Sequence, residues 1–139
     1  MKVKQITEVG VAVKDLDKAS RLFVDLLGAN AGEIITVERY KMRYRMCRVG
    51  KIDFEIMEPL EDEGVIADFI KARGEGVHHI GFAVDNLEDY FVFFKERGVK
   101  LIDNKPQELC GAKYAFLHPS SFLGAMFELI EYPKDFELP

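Results

Sequence analysis

The sequence repeats itself once, and this internal repeat restricts the possible folds more than any other feature of the chain. The stretch EVGVAVKDLDKASRLF, which begins at Glu8, aligns with HIGFAVDNLEDYFVFF, which begins at His79, at a shift of 79 − 8 = 71 residues. Further along, FEIME aligns with FELIE, which places Glu55 on Glu128 at a shift of 128 − 55 = 73 residues. Because both shifts keep the same order and nearly the same spacing, the chain is predicted to use one structural module twice.

Each module is predicted to have the element order β-α-β-β-β. A run of small and β-branched residues opens each module and is typical of a strand buried on both faces. A helix follows, capped in the first module by Asp15 or Asp17, and Gly28 and Gly98 end the two helices. The predicted strands are 6–13, 33–38, 41–49 and 52–58 in the first module, and 77–84, 99–103, 112–118 and 124–131 in the second.

The sequence predicts a single domain over residues 1–139, with module one at about 5–60 and module two at about 77–132. A connecting helix is predicted at about 64–74, and the second module's helix at 87–97. The first helix is predicted to bury one apolar face at helical spacing, formed by Ala19, Leu22, Phe23, Leu26 and Leu27.

Composition excludes several classes of function. The net charge of −5 and the pI of about 5.3 lack the basic excess that nucleic-acid binding usually needs. No apolar run approaches the roughly 18 residues of a membrane helix, and the opening MKVKQITE lacks the apolar stretch of a signal peptide, so a cytoplasmic protein is expected. Cys47 and Cys110 have no CxxC spacing and are predicted to be reduced, partly buried thiols.

Strand alternation places four polar side chains on one kind of face. The apolar residues of the strands pack under the helices, while Glu8, Glu55, His79 and Glu128 point to the opposite face. If the modules lie side by side about a pseudo-twofold axis, Glu8 matches His79, Glu55 matches Glu128, and the four side chains converge. Three carboxylates and an imidazole would repel one another unless a cation compensates. The pattern predicts an α+β fold in which two tandem βαβββ modules form a curled mixed sheet around a metal-binding cleft.

The other two histidines have simpler interpretations. His78 points the other way by strand parity, which favours a structural or supporting role. His118 stands in LHPSS at a strand end before a proline turn, a context that favours a structural role as well.

Four stretches of the chain resemble the vicinal-oxygen-chelate superfamily, which includes glyoxalase I, extradiol dioxygenases and methylmalonyl-CoA epimerase. They are VGVAVKDLDKA, GEGVHHIGFAVDNLE, KERGVKLIDNKP, and AFLHPSS followed by GAMFELIE, and the match covers about residues 5–132. The stretches are most similar to those of the epimerases. The resemblance implies paired βαβββ modules and a divalent metal, with ligands that match Glu55, His79 and Glu128.

The chain differs from the epimerase pattern at two positions. Epimerases usually carry His where this chain has Glu8. They also carry a proton-transferring Glu on the strand that reads KMRYRMCRVG here, where the alignment places Tyr44 to within one or two positions. The donor set is also similar to that of some glyoxalases, in which the first ligand is Gln.

The resemblance implies a metal-dependent isomerase of the methylmalonyl-CoA epimerase type, acting on an acyl-CoA thioester. The metal would stabilise the enolate left when the α-proton is removed. Glu128 is the implied proton-transfer group, with Tyr44 or Glu8 as the second, and oxygen and nitrogen donors allow Co, Mn, Ni, Mg or Zn. Three alternatives stay open: a glyoxalase I-like lyase acting on a thiol hemithioacetal, a non-catalytic small-molecule-binding member, and an extradiol dioxygenase, whose His/His/Glu iron site needs a His at position 8.

Basic residues recur along the strand that carries Tyr44. Lys41, Arg43 and Arg45 share one face of it, and Arg48 follows near its end. One interpretation is a solvated edge whose charges discourage strand pairing. The other is a surface that binds the phosphates of a nucleotide-bearing thioester.

The second helix contains more apolar residues than one face can bury. Phe91 and Val92, within the run YFVFF at 90–94, correspond to Ser20 and Arg21 of the first helix. Five consecutive apolar residues are spread around the axis at about 100° each. The surplus is predicted to meet the connecting helix or a second subunit, and the resemblance, whose members commonly pair, favours a homodimer.

Overall fold

The structure is a computed structural model that describes residues 1–139. In chain order the elements are β1 (Val3–Ala12), α1 (Leu16–Leu27), β2 (Asn30–Val37), β3 (Met42–Val49), β4 (Ile52–Pro59), α2 (Val65–Arg73), β5 (Gly76–Val84), α3 (Leu87–Glu96), β6 (Gln107–Leu109), β7 (Ala112–Phe116) and β8 (Phe127–Glu131). Short 3-10 turns precede β3 and follow β7. The predicted α+β class and the tandem βαβββ order are therefore confirmed, with α2 as the connecting helix.

The chain divides into two compact units. The first unit comprises Glu8–His78, and the second comprises Met1–Thr7 together with His79–Pro139. The division falls inside β1 and inside β5, so each of these strands contributes residues to both units.

In the first unit the strand order is β2-β3-β4-β1. β3 runs antiparallel to both of its neighbours, and β1 runs parallel to β4. Phe54 and Ile56 of β4 pack in one apolar cluster with Leu16, Ala19 and Phe23 of α1. The prediction that these β4 side chains face the helix is confirmed, and by strand alternation Glu55 points to the other face.

In the second unit the first residues of β1 are followed in the sheet by β5, β8, β7 and β6. β5 runs parallel to β8, and β7 runs antiparallel to both β8 and β6. Phe127 and Leu129 of β8 pack in a cluster with Leu87 and Tyr90 of α3, as predicted from the repeat. Glu128 lies between them in sequence and points to the opposite face.

Equivalent residues cap the two helices at their N-termini. Asp15 accepts a hydrogen bond from the backbone N–H of Lys18 at 3.0 Å, and Asn86 accepts one from that of Asp89 at 3.1 Å. Asp15 is therefore the cap that the sequence left undecided between positions 15 and 17. A side-chain acceptor at this position satisfies an amide that has no partner within the helix.

A glutamate at the end of the adjacent strand also binds each helix start. Oε2 of Glu58 accepts a hydrogen bond from the backbone N–H of Leu16 at 2.5 Å. Oε2 of Glu131 accepts one from that of Leu87 at 2.7 Å. A carboxylate next to the first turn also interacts favourably with the helix dipole, so the last glutamates of FEIME and FELIE fix the helices to their strands.

The predicted apolar face of α1 is only partly correct. Leu22, Leu26 and Leu27 remain 51%, 74% and 56% exposed. The residues of α1 that are buried are Leu16 and Ser20. A helix that packs on a sheet buries only a narrow stripe of its surface. Leu22 and Leu26, which are four residues apart, lie beside the stripe that contacts the sheet and therefore stay exposed.

The predicted strand 99–103 is wrong. That segment makes one isolated bridge, between Leu101 and Leu117, and the sheet is instead extended by β6. The chain bends through residues 102–105 and reaches Pro106, which has no backbone N–H to donate to a ladder.

Both cysteines are free thiols. Cys47 is fully buried beside α1, whereas Cys110 is exposed in the turn between β6 and β7. The expectation of partial burial is thus wrong for Cys110, which occupies a turn position with φ of 51°. No α-helix of the chain has the length and apolar character needed to cross a lipid bilayer.

Candidate metal centre

Two glutamates of the first unit lie close together on the sheet face that α1 does not cover. Glu8 is on β1 with 5% of its surface exposed, and Glu55 is on the neighbouring β4 and is half-buried. Each offers a carboxylate oxygen, and these oxygens lie within 4.8 Å of each other. The strand partner of Glu55 is Gly10, whose lack of a side chain leaves room for the carboxylate.

The second unit pairs a histidine with a glutamate in the same way. His79 on β5 and Glu128 on β8 are 3% and 6% exposed, and Nε2 of His79 lies 3.2 Å from Oε2 of Glu128. The strand partner of Glu128 is Gly81. Both modules therefore combine a glutamate with a glycine directly beside it on the adjacent parallel strand.

Aromatic side chains border the His79–Glu128 pair. Phe116 of β7 is the strand partner of Glu128, and its ring meets that of His79 edge-on, with centroids 5.2 Å apart and an interplanar angle of 88°. The ring of Tyr114 lies next to that of Phe116, with centroids 6.0 Å apart. The pair therefore lies in a largely apolar wall, where charged groups are poorly solvated.

The donors within each unit are suited to a divalent ion. Adjacent ligands of an octahedral ion with bonds of about 2.1 Å stand about 3 Å apart, and opposite ligands about 4 Å apart. The His79–Glu128 separation of 3.2 Å and the Glu8–Glu55 separation within 4.8 Å are compatible with these values. Carboxylate oxygen and imidazole nitrogen are ligands that Mg, Mn, Co, Ni and Zn accept.

Tyr44 lies on the same face of the first unit as Glu55. It is 4% exposed, and its neighbour two residues on, Met46, is the strand partner of Glu55. Because side chains at i and i+2 share a face, Tyr44 and Met46 border the carboxylate. Its predicted part in proton transfer remains a prediction.

Sequence reasoning missed Tyr114. Tyr44 pairs with Met57 on β4, and Tyr114 pairs with Ile130 on β8, at a shift of 130 − 57 = 73 residues between the two partners. The tyrosines therefore occupy equivalent places in the two modules, and both are buried. The connection from β3 to β4 is a two-residue turn, whereas that from β7 to β8 spans residues 117–126, so one constant sequence shift could not align them.

The remaining histidines have structural contacts. The ring of His78 meets that of Phe69 on α2 edge-on, with centroids 4.9 Å apart. Nδ1 of His118 accepts a hydrogen bond from the backbone N–H of Ser120 and lies 2.7 Å from its hydroxyl oxygen. Both contacts agree with the structural roles predicted for them.

Three of the four basic residues around β3 form ion pairs. Lys41 pairs with Glu61 and Glu63. Nε of Arg43 donates a hydrogen bond to Glu58 at 2.9 Å, and this contact raises the pKa of the guanidinium. Arg48 forms a bidentate pair with Asp53, in which Nε donates to Oδ1 at 2.8 Å and Nη2 donates to Oδ2 at 2.6 Å. The basic face is therefore largely neutralised by carboxylates of the same unit.

Comparison with known proteins identifies relatives of the chain. A model of the Glyoxalase/Bleomycin resistance protein/Dioxygenase superfamily matches residues 7–116. The mitochondrial methylmalonyl-CoA epimerase of Bos taurus is 30% identical over 127 residues, which cover 90% of this chain and 73% of that protein. The uncharacterised protein YqjC of Bacillus subtilis is 29% identical over 133 residues, which cover 95% of this chain and 94% of that protein.

A similar fold also occurs among solved structures. A methylmalonyl-CoA epimerase in complex with methylmalonyl-CoA and NH4+ superposes with a TM-score of 0.90 and 23% identity, covering 99% of this chain and all of that one (100%). At this level of identity the similarity shows that the two chains share a fold.

Proposed function

This chain belongs to the glyoxalase/bleomycin resistance protein/dioxygenase superfamily, as the resemblance in its sequence indicated, and we propose that it is a metal-dependent epimerase of the methylmalonyl-CoA type. The observation that carries the proposal is the 30% sequence identity between this chain and the bovine epimerase, which extends over 90% of the chain. The reaction proposed is proton transfer at the α-carbon of an acyl-CoA thioester.

The proposed metal ligands are Glu8, Glu55, His79 and Glu128. The support for them is the donor pair in each unit, at separations that suit two ligands of one divalent ion. When bound, the ion would act as a Lewis acid that stabilises negative charge on the oxygens of the thioester. Co, Mn, Ni, Mg and Zn all accept this donor set.

Glu128 is the proposed base. One of its carboxylate oxygens would remove the α-proton, and a second group would return a proton to the opposite face of the planar enolate. The ring of Phe116 borders His79 and Glu128 and would exclude water from this side of the reaction. Tyr44 is the proposed second group, because it is buried on the face of Glu55.

Glu8 is the alternative second group, and it distinguishes this chain from the epimerase pattern. As a third anionic ligand it would lower the net charge of an occupied site to −1. A divalent ion in such a site withdraws electrons from the substrate less strongly. We expect Glu8→His to bind metal at least as tightly and to keep activity. Complete loss of activity in that variant would instead assign Glu8 a catalytic role of its own.

Two other functions use the same side chains. A glyoxalase I-like lyase would carry out the same proton transfer on a thiol hemithioacetal, and the donor set with a residue other than His at position 8 favours it. A binding protein without catalysis would need the site and not the second proton-transfer group. Tyr44 in the place of a second proton-transfer group favours this function, since a tyrosine with a reference pKa of about 10 is a poor base near neutral pH.

Proton exchange in deuterated water tests the three functions. Metal-loaded protein is mixed with methylmalonyl-CoA or with the hemithioacetal of methylglyoxal, and loss of the α-proton signal is followed by NMR. An epimerase exchanges the first substrate, a lyase converts the second, and a binding protein leaves both unchanged. Glu128→Gln is the matched control, because it removes the base and keeps the size of the side chain.

Metal content is a separate test. Elemental analysis after chelation and reconstitution should find about one divalent ion per chain, and less in Glu128→Ala. Binding no higher than background in the unmodified protein would contradict the metal site. The result does not depend on knowing the substrate.

We also propose a homodimer, and Val92 is the residue to test. Val92 is 60% exposed on α3, whereas Phe91 packs against the apolar cluster of its own unit and is no longer part of the surplus surface. In a symmetric pair one substitution changes the interface twice. Light scattering at low micromolar concentration should show that Val92→Lys turns a dimer into a folded monomer. An unmodified protein that is already monomeric would contradict the dimer.

A further inference from the structure

Arg45 is a charged residue of the first unit that neither the proposed metal site nor the proposed proton transfer uses. It lies on β3, between its strand partners Ile34 on β2 and Ile56 on β4. Ile56 is fully buried, and Arg45 itself is half-buried. Its side chain shares a face with Cys47, which belongs to the apolar cluster beneath α1.

Arg45 differs from the other basic residues of this strand in its contacts. Lys41, Arg43 and Arg48 each have a carboxylate partner, whereas the side chain of Arg45 takes part in no ion pair or hydrogen bond. Its Nε is buried from solvent and has no hydrogen-bond acceptor. A guanidinium keeps its charge at every physiological pH, so the first unit holds one positive charge that has no carboxylate partner, and one nitrogen of this guanidinium is buried without an acceptor.

The polar groups of Cys47 and Ser20, on this side of the sheet, do not neutralise that charge. Burial raises the pKa of the Cys47 thiol, which keeps the sulfur uncharged at neutral pH. The hydroxyl of Ser20 donates its hydrogen bond to the backbone carbonyl of Leu16 at 2.7 Å. Leaving a buried donor of a charged group without a partner is destabilising, and proteins rarely keep such a donor unless something binds it.

Arg45 lies one strand in from the edge of the sheet and is only half-buried, so the part of its guanidinium beyond Nε is open to solvent. Its strand partner Ile34 lies on β2, the outermost strand of the first unit, and is 37% exposed. The guanidinium offers its donors in a planar fork that matches two oxygens of an oxyanion, and a phosphate group, with more charge than a carboxylate, makes the stronger pair.

We propose that Arg45 is the anchor of an anion site that binds a phosphate group at the edge of the β2–β3 sheet, on the face opposite Glu55. The phosphate comes either from the nucleotide part of a CoA thioester or from free inorganic phosphate. The site does not depend on the proposed epimerase activity, since it rests on the contacts of Arg45 alone.

The test follows the Nε–Hε resonance of Arg45 by NMR in the full-length protein. Inorganic phosphate and CoA are titrated separately at constant ionic strength, with sodium chloride as the reference. A saturable shift of this resonance is expected with at least one of them, and Arg45→Gln should weaken that binding about tenfold or more. Arg48→Gln is the matched control, because Arg48 lies on the same strand and is neutralised by Asp53. It should leave the affinity unchanged.

Each result is decisive. Binding of both probes means that a free phosphate suffices, and binding of CoA alone assigns the site to the nucleotide part of a thioester. Absence of a saturable shift with either probe, or equal affinity in Arg45→Gln, overturns the proposal. If Arg45→Gln fails to fold, Arg45→Lys replaces it, with a loss of the second hydrogen bond and a smaller drop in affinity expected. Phosphate binding without any proton exchange activity would uphold this site and reject the proposed epimerase.

Discussion

The two modules are alike in their central strands and differ in their outer strands. β1 with β4 and β5 with β8 are parallel pairs in which a glycine faces the site glutamate, at Gly10–Glu55 and Gly81–Glu128. The outer strands β2 and β3 have eight residues each in the first module, whereas β6 and β7 have three and five in the second. The repeat is therefore retained in the strands that carry the donor side chains, and the two modules differ in the length of their outer strands.

The helix attachments show the same pattern with one difference. Glu58 and Glu131 bind the first amide of their helices in the same way. Glu58 also accepts a hydrogen bond from Arg43, whereas Lys113, which is paired with Glu131 in the β7–β8 ladder, contacts Glu88 instead. The first module thus adds an ion pair to an attachment that the second makes with one hydrogen bond.

The largest effect is expected from comparing the two site glutamates. Glu128→Gln should lower the rate of α-proton exchange about 10³-fold, because an amide does not remove a proton. Glu55→Gln should lower it far less, since the amide oxygen remains a donor for a metal ion. Both rates are measured by NMR in deuterated water, with metal content checked in parallel. Equal losses of rate in the two variants would contradict the assignment of Glu128 as the base and of Glu55 as a metal ligand only.

A second comparison concerns the equivalent tyrosines. Tyr44→Phe should slow proton exchange about 10²-fold if its hydroxyl transfers the second proton, and Tyr114→Phe should change the rate little. Thermal unfolding of both variants separates catalysis from stability. If Tyr114→Phe is the slower variant, the second proton comes from the second module, and Tyr44 loses its proposed role.

The helix attachments predict a smaller effect, on stability. Glu58→Ala should lower the free energy of unfolding by about 2 kcal/mol, because it removes two charge-assisted hydrogen bonds and leaves Arg43 unpaired. Glu131→Ala should lower it by about 1 kcal/mol, since one hydrogen bond is lost. Urea unfolding measures both values. A larger loss for Glu131 would show that the ion pair of Glu58 contributes nothing.

An effect as small as that of Glu131→Ala is expected at the N-caps. Asp15→Ala and Asn86→Ala should each cost about 1 kcal/mol, because each removes one side-chain acceptor from a helix start. Urea unfolding of the two variants should give closely similar losses. A cap that costs nothing in one module would mean that the strand glutamate alone fixes that helix.

Much of the fold and part of the site could be predicted because the signals are local. Strand alternation placed Phe54 and Ile56 under α1 and turned Glu55 away, and the same rule predicted the faces of Phe127 and Glu128. Capping residues and glycines defined the helix ends within a residue or two. These properties depend on neighbours a few positions away, which the sequence displays directly.

Features that depend on partners distant in sequence could not be predicted. The exposure of Leu22 and Leu26 follows from how α1 rests on its sheet, and the location of β6 follows from which segment reaches the ladder of β7. The equivalence of Tyr44 and Tyr114 appears only in the register of their strands, because the connections in the two modules differ in length.

The sequence by itself determined the repeat, the order of the elements and the faces that carry Glu8, Glu55, His79 and Glu128, because periodicity and capping are properties of short segments. Tertiary structure decided which charges are compensated. Four basic residues surround one strand, and only the register of β3 with β4 and the path of the following loop give three of them carboxylate partners. Ion pairs require contact within a few ångströms across the sheet, so the chain had to fold before Arg45 could be distinguished from its neighbours.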